Sequence, residues 1–331
     1  MKKIIITGGA GMIGSILARY FIEKNYQIII IDDLSGGFIE NLPEGCKFYL
    51  GNICDQKFIN KTFEIERPNF VIHCAAYAAE ILSPFIRNFN YQNNLIGSVN
   101  IINACVNNNV EKIINFSSFA TYGEGIPPFK ETDQRLPKDS YGIAKLAVEM
   151  DLKEASEHFG LKYSTVLPHN VVSKYQNYWD KYRNAIAIWI RQCSLGEDIT
   201  IFGDGLQTRS FSDCKFICDP VEKLLYSHDG EHFNIGSDDP ITIKDAAELV
   251  LKVGRNFGFN KSKLIFLEKR KEVVHAYCDH EKAKNLLNFH DKTNLQELIS
   301  EMFSYYTTLP SKDVENMPYE IEKNMYSFWK K

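Results

Sequence analysis

The chain has 331 residues, 44% hydrophobic and 24% charged, enough for one large or two modest globular domains, which excludes a chain dominated by disorder. Its 38 basic and 42 acidic residues are well mixed and leave a formal net charge of −4, so no nucleic-acid partner and no anionic membrane partner is expected, and any anionic ligand has to be held locally. The longest apolar runs, such as "QIIIID" and "NAIAIWI", are too short to span a bilayer, no signal-type segment follows Met1, and the eight cysteines form no CxxC pair; a cytoplasmic protein with reduced, structural thiols and no metal site is expected.

The first half alternates short β-rich runs with helical patterns. "KIIIT" leads into a helix near 12–24, "QIIIID" and "KFYLG" precede a helix near 55–65, and "FVIHCAA" precedes a long helix near 89–108. "KIINFSS", a helix near 139–159 and "YSTVLP" close the series. Strands that are apolar throughout, separated by helices, predict a parallel sheet buried on both faces, a doubly wound α/β domain over residues 1–167. Beyond Pro168 the regularity fades, and "ITIFG", "HFNIG" and "KLIFLE" alternate with helices near 183–195, 244–256 and 294–305. Residues 168–331 are expected to form a smaller, mixed α/β substrate lobe, with some segments returning to the first domain.

Between the first strand and the first helix lies Gly8-x-x-Gly11-x-x-Gly14. In that context the first glycine permits a tight turn, the second lets main chain approach a pyrophosphate, and the third lets helix and strand pack closely. The phosphates then rest on free amides at the positive end of the helix, beside Met12 and Ile13. Asp32, at the tip of "QIIIID", can accept the hydroxyls of an adenosine ribose and repels a 2′-phosphate, which favours NAD over NADP. Asp33 beside it either joins that contact or is simply solvated.

"SYGIAK" places Tyr141 and Lys145 one turn apart on one helix face. A phenol has an unperturbed pKa near ~10, so service as a base near neutrality requires a fall of about 3 units, roughly 4 kcal/mol of differential stabilisation. An ammonium group at Lys145 and a positive nicotinamide ring have the sign to provide it. "FSSFATYG" puts Ser117 and Ser118 at the carboxyl end of a predicted strand, where doubly wound folds bind ligands.

Taken together, "TGGAGMIG", Asp32, "FSSFATYG" and "YGIAK" resemble the extended short-chain dehydrogenase/reductases, specifically their NAD-dependent nucleotide-sugar epimerases and dehydratases; "TIFGDGLQTRSF", "HFNIGS" and "AYCDHEKAKNLL" resemble that family's later blocks. The resemblance implies a Rossmann-type fold, a tightly bound NAD+/NADH and a catalytic trio of Ser118, Tyr141 and Lys145. It implies cofactor contacts at Ile53, Ala75, Ala76, Ser117 and Pro168, with Asn94 bracing the nicotinamide end. Asn52 stands where the family usually has an aspartate that meets adenine. For the sugar nucleotide's pyrophosphate it implies Arg209, Asn170 and Asn184, together with Arg270 or its neighbour Lys269, of which Arg270 is preferred. A guanidinium suits such a group because it grips phosphate in a planar fork. A homodimer or higher homo-oligomer is implied through helices near 89–108 and 139–159.

Dehydratases of the family carry an acid just after the catalytic hydroxyl, whereas this chain reads Ser118-Phe119-Ala120-Thr121, which argues against 4,6-dehydration. Leu167 replaces a usual arginine, and "NVVSK" departs from the family's pattern beside the sugar pocket. His73 and His169 are read as packing residues. The chemistry implied is oxidation at carbon 4 of a nucleotide-linked sugar. Either the keto sugar takes the hydride back on its other face, as in an epimerase, or it leaves, as in a dehydrogenase; a non-catalytic NAD sensor is the reading of another class. The block "LPHNVVSKYQNYWDKYRNAIAIWIRQ" is similar to a bacterial branch that acts on GDP-manno-heptose in capsule synthesis, which places the dehydrogenase slightly ahead.

Overall fold

Isoleucine-rich runs with two buried faces build the centre of the molecule. In the computed structural model, which describes residues 1–314 and 316–329, strands β1 (Lys3–Thr7), β2 (Gln27–Asp32), β3 (Lys47–Leu50), β4 (Phe70–His73), β5 (Lys112–Phe116) and β6 (Tyr163–Pro168) run parallel. They alternate with helices α1 (Met12–Glu23), α2 (Gln56–Glu66), α3 (Arg87–Tyr91), α4 (Gly97–Asn107) and α5 (Ser140–Phe159). Ile4, Ile6, Ile28 and Ile30 face one side of the sheet, against Leu17, Ala18 and Phe21 of α1. Ile5, Ile29 and Ile31 face the other, against Ile59 and Phe63 of α2, Ile101 of α4 and Leu152 of α5. Burial on both faces is why these strands are apolar without alternation.

The strand order is β3-β2-β1-β4-β5-β6, and the strand His232–Ile235 adds a seventh place beside β6 in parallel register, His232 opposite Thr165. Cys214, Ile217, Val221 and Leu224, also from the second half of the chain, pack on the α1 side of the sheet. Around Tyr178 and Trp179 a second core forms from α6 (Ala185–Leu195) and the helices Ile243–Asn256 and Leu295–Tyr306. Its small sheets pair Ile199–Phe202 with Leu264–Leu267, and Thr208–Ser210 with both Pro240–Thr242 and His275–Ala276.

One predicted helix is divided. The stretch expected near 89–108 is α3, a π-helical turn Gln92–Ile96 and then α4. In that turn Asn94 is fully buried; its side-chain oxygen accepts from the Tyr77 amide at 2.8 Å and its nitrogen donates to the Tyr77 carbonyl at 3.0 Å. Such single π turns within α-helices are rare and are found frequently at functional sites. Among the described residues no helix is long and apolar enough to cross a membrane.

Candidate active site

Strand order reverses between β1 and β4, so the loops that follow these strands diverge and leave a crevice at their carboxyl ends. A cavity of about 610 Å³ begins there and extends to α6 and Phe202 in the second lobe. Gly8, Gly11, Met12, Ile13, Gly14, Asp32, Asp33, Ile53, Ala75, Ala76, Ser117, Ser118, Tyr141, Lys145, Pro168, Asn170, Asn184, Arg209 and Arg270 all line it, so nearly every residue singled out from the sequence faces one space.

The glycines have three different jobs. Gly8 adopts φ +69°, and a Cβ there would lie 2.7 Å from the Ala75 amide nitrogen. At Gly14 a Cβ would fall 2.3 Å from the Gly8 carbonyl oxygen, so α1 can approach β1 only because that atom is missing. Gly11 is less crowded, with the Gly8 oxygen at 3.2 Å, and it begins α1 without a capping side chain, so the first amides of the helix are available to a ligand in the cavity. Asp32 is 8% exposed and accepts from the amides of Ala10 at 3.0 Å and Leu34 at 2.8 Å. Burial raises its pKa and those two amides oppose the rise. Each oxygen keeps a lone pair for a ribose hydroxyl. Asp33 is held too, accepting from the Ser35 amide at 2.9 Å and from Asn52 Nδ2 at 2.7 Å. The crowded turn, the uncapped helix and the buried carboxylate together fit a dinucleotide.

Two expected cofactor contacts stand outside the lining. Asn52 is exposed, its amide oxygen already accepting from Cys54 N at 2.7 Å. Asn94 clamps Tyr77 from behind, as described above, and so acts on the wall through that residue.

Asp139 caps α5 by accepting from Gly142 N at 2.8 Å, and the first two turns of the helix then present Tyr141 and Lys145, both buried, to the cavity. Lys145 Nζ donates to the Phe116 carbonyl at 2.8 Å. Burial brings its pKa down to about 8, against the pull of Cys74 and Glu149. Burial also dominates at Tyr141 and raises the phenol; Ser118 opposes it through a hydrogen bond, while the carboxylates of Glu80 and Asp139 add to the rise. Of the two charges expected to make Tyr141 acidic, Lys145 and a positive nicotinamide ring, the ammonium is engaged by the Phe116 carbonyl, and the protein's own charges on the phenol are the carboxylates of Glu80 and Asp139, which raise it, and Arg183, which lowers it. Ser118 Oγ also accepts from Ala120 N at 3.1 Å, and the Ser117 hydroxyl donates to Glu149. Both nitrogens of His73 are occupied, by Thr7 at 2.7 Å and Ser98 at 2.8 Å. His169 lines the cavity beside Pro168 and pairs with His280 at 2.8 Å.

At the far end, Arg209 donates to the carbonyls of Thr208, Val273 and Val274 and pairs with Glu272 at 3.3 Å. Arg270 lies 3.6 Å from the same Glu272 oxygen, with its guanidinium 3.8 Å from the centre of the Phe202 ring and its Nε buried without a hydrogen-bond partner. Lys269 is exposed beside Gly203. Asn170 and Asn184 both take positive φ, at +46° and +65°.

Among the cavity residues not expected from the sequence are Glu80, Arg183 and Phe328. An acid in the otherwise apolar "AAYAAEIL" was the available signal for Glu80. Arg183 pairs with Asp180 at 2.6 Å and lies over the Tyr77 ring, and Phe328 packs on Phe202 with centroids 4.4 Å apart. The contacts of Arg183 with Tyr77 and of Phe328 with Phe202 join segments far apart in the chain, which no local pattern announces.

The model of the NAD dependent epimerase/dehydratase family matches residues 4–236. A UDP-glucose 4-epimerase of Halalkalibacterium halodurans is 28% identical over 93% of this chain and 96% of its own length. A UDP-N-acetyl-alpha-D-glucosaminuronate decarboxylase of Bacillus cytotoxicus is 27% identical over 95% and 99%. The crystal structure of the UDP-glucose 4-epimerase of Thermotoga maritima with UDP-glucose superimposes with a TM-score of 0.87 at 31% identity, covering 92% of this chain and 99% of the other. A Rossmann-type sheet with a glycine turn at its switch point and a Tyr-x-x-x-Lys helix beside it, matched by that family's model across most of its length, makes this chain an enzyme of the NAD-dependent epimerase/dehydratase family, within the extended short-chain dehydrogenase/reductases.

Proposed function

We propose that the enzyme oxidises the carbon-4 hydroxyl of a nucleotide-activated sugar, a GDP-heptose or a related GDP- or UDP-sugar of surface polysaccharide synthesis, to a 4-keto sugar. The observation that carries this reading is the continuity of one cavity from the Gly8–Gly14 turn, past Tyr141, to Arg209 and Arg270. In this reading the Gly8–Gly14 turn and Asp32 hold the cofactor, and residues from Pro168 onward hold the nucleotide sugar. NAD, when bound, supplies the hydride acceptor and a positive charge beside the phenol. Tyr141 takes the alcohol proton on its phenolic oxygen. Ser118 hydrogen-bonds the reacting oxygen, and Lys145, fixed by Phe116, keeps a cation under the site below pH about 8.

Epimerisation is the second reading, and the UDP-glucose 4-epimerases among the similar proteins favour it. Net oxidation is favoured by the departures around Leu167 and Asn170–Lys174. Dehydration has little support, because Phe119 and Ala120 occupy the positions after Ser118. A dimer fits the exposure of Ile143 and Met150, two turns apart on α5, and of Ile96 next to α4.

A screen of GDP-, UDP- and dTDP-linked sugars, followed by absorbance of NADH and by product analysis, tests the proposal. Reduced cofactor with a keto sugar supports the dehydrogenase, and an inverted sugar supports the epimerase. Retained cofactor that no sugar reduces would sink both. Tyr141→Phe should lower turnover at least ~100-fold while NAD stays bound.

A further inference from the structure

Among the described residues, Glu80 is the one carboxylate of the cavity wall near Tyr141 without a partner of its own. It leaves the loop after β4, and that loop is tied to the start of α5: the Ser83 hydroxyl donates to the Glu80 carbonyl at 2.8 Å and accepts from the Tyr141 amide at 3.1 Å. The backbone of Glu80 is thus held against the turn that carries the phenol. Its carboxylate opens into the cavity lumen, with protein packed around its other sides. Among the described residues it takes no hydrogen bond and no ion pair.

The groups that act on it are Tyr141 of α5 and Asp139, which caps that helix, with Arg209 and Glu272 of the second lobe. Arg209 is engaged through both terminal nitrogens with three carbonyls and Glu272 rather than with Glu80. Glu80 is exposed to the cavity, so its carboxylate loses water only when a ligand fills that space, and in this company it then needs a donor to replace the water. A sugar hydroxyl is such a donor. A sugar carboxylate is not, and it would add a fourth negative group to Glu80, Asp139 and Glu272.

We propose that Glu80 determines sugar specificity: its side chain accepts a hydroxyl of the sugar close to the carbon that Tyr141 serves, admitting neutral, hydroxylated sugars and rejecting those that carry a carboxylate. This rests on the nucleotide-sugar reading above. Burial supports it, pushing the Glu80 carboxyl up to about 7 with help from Asp139 and Glu272 and against Arg209, so that rejection of a carboxylate strengthens as pH rises from 6 to 8.

The test is calorimetric binding to the NAD-loaded enzyme of two pairs matched in nucleotide, UDP-glucose with UDP-glucuronate and GDP-mannose with GDP-mannuronate. The neutral member of at least one pair should bind tenfold or more tightly, by a ratio that grows between pH 6 and 8. Glu80→Gln should bring the ratio towards one and remove its pH dependence, whereas Glu80→Asp should keep most of it; bound NAD and an unchanged melting temperature check that both variants fold. An unchanged ratio in Glu80→Gln, or a preference of the natural enzyme for the uronate, overturns this inference and leaves the nucleotide-sugar reading intact. Failure of all four sugars to bind overturns both.

Discussion

The two ends of the cavity are shaped by different kinds of atom. Around Gly8, Gly11 and Gly14 the wall is main chain, set by strand ends in register and by the absence of Cβ atoms where α1 meets β1. Around Arg209, Arg270 and Glu272 it is long side chains, brought together from strand ends and loops of the second lobe and balanced against one another by charge. Shape made of main chain cannot be changed without moving the fold. Shape made of side chains can be retuned one residue at a time, which is how one scaffold serves different sugars.

The largest test of that contrast is Gly14→Ala. Its new methyl would meet a carbonyl oxygen at 2.3 Å, with only main chain to give way, so overpacking of about 3 kcal/mol is expected, more than the helix-propensity gain of roughly 1 kcal/mol can offset. The melting temperature should fall by several degrees and NAD affinity with it. Gly11→Ala meets the same oxygen at 3.2 Å and should leave the melt nearly unchanged while still weakening NAD. Equal melts for the two variants would break the assignment of separate packing and binding roles.

Between the ends lies Lys145, where burial gives a linkage that can be measured. Its folded-state pKa of about 8 lies below the ordinary lysine value of 10.5, so the unfolded chain binds more protons between those two pH values and stability rises with pH across that window. The contribution is at most roughly 3 kcal/mol. In Lys145→Met that rise should disappear from denaturation free energies measured from pH 8 to 10.5. Near neutrality the gain is smaller than this figure, because the Phe116 carbonyl loses its donor. The same slope in both proteins would place the ammonium in solvent.

How much could be read from the chain follows the same division. The buried isoleucines of β1 and β2, the glycine spacing and the Tyr141–Lys145 pair are local patterns, and each lies where periodicity and turn chemistry put it. Asn94 was legible as a site residue, but its task was not, since the π turn that aims it at Tyr77 depends on contact with another loop. Glu80 and Arg183 were missed for a related reason: their meaning comes from what faces them across the cavity. The electrostatics of Tyr141 were the least legible, because the sign of a pKa shift depends on burial and on every charge within reach.

The smallest expected effect belongs to the side-chain end. Arg270 has one face on Phe202, a single long ion pair to Glu272 and an unpartnered buried Nε, whereas Arg209 also holds three carbonyls of its own lobe. If both grip the nucleotide's phosphates, their losses should differ in kind. Arg270→Ala should raise the KM for a nucleotide sugar about tenfold or somewhat more, the value of one charge-assisted hydrogen bond of roughly 1.5–3 kcal/mol, with the melting temperature and NAD affinity unchanged. Arg209→Ala should raise KM similarly and also lower the melting temperature, because the carbonyls of Thr208, Val273 and Val274 lose a shared donor. A lower melt in Arg270→Ala with no change in KM would mean that its guanidinium serves to pack Phe202, and the proposed phosphate contact would pass to Arg209 alone.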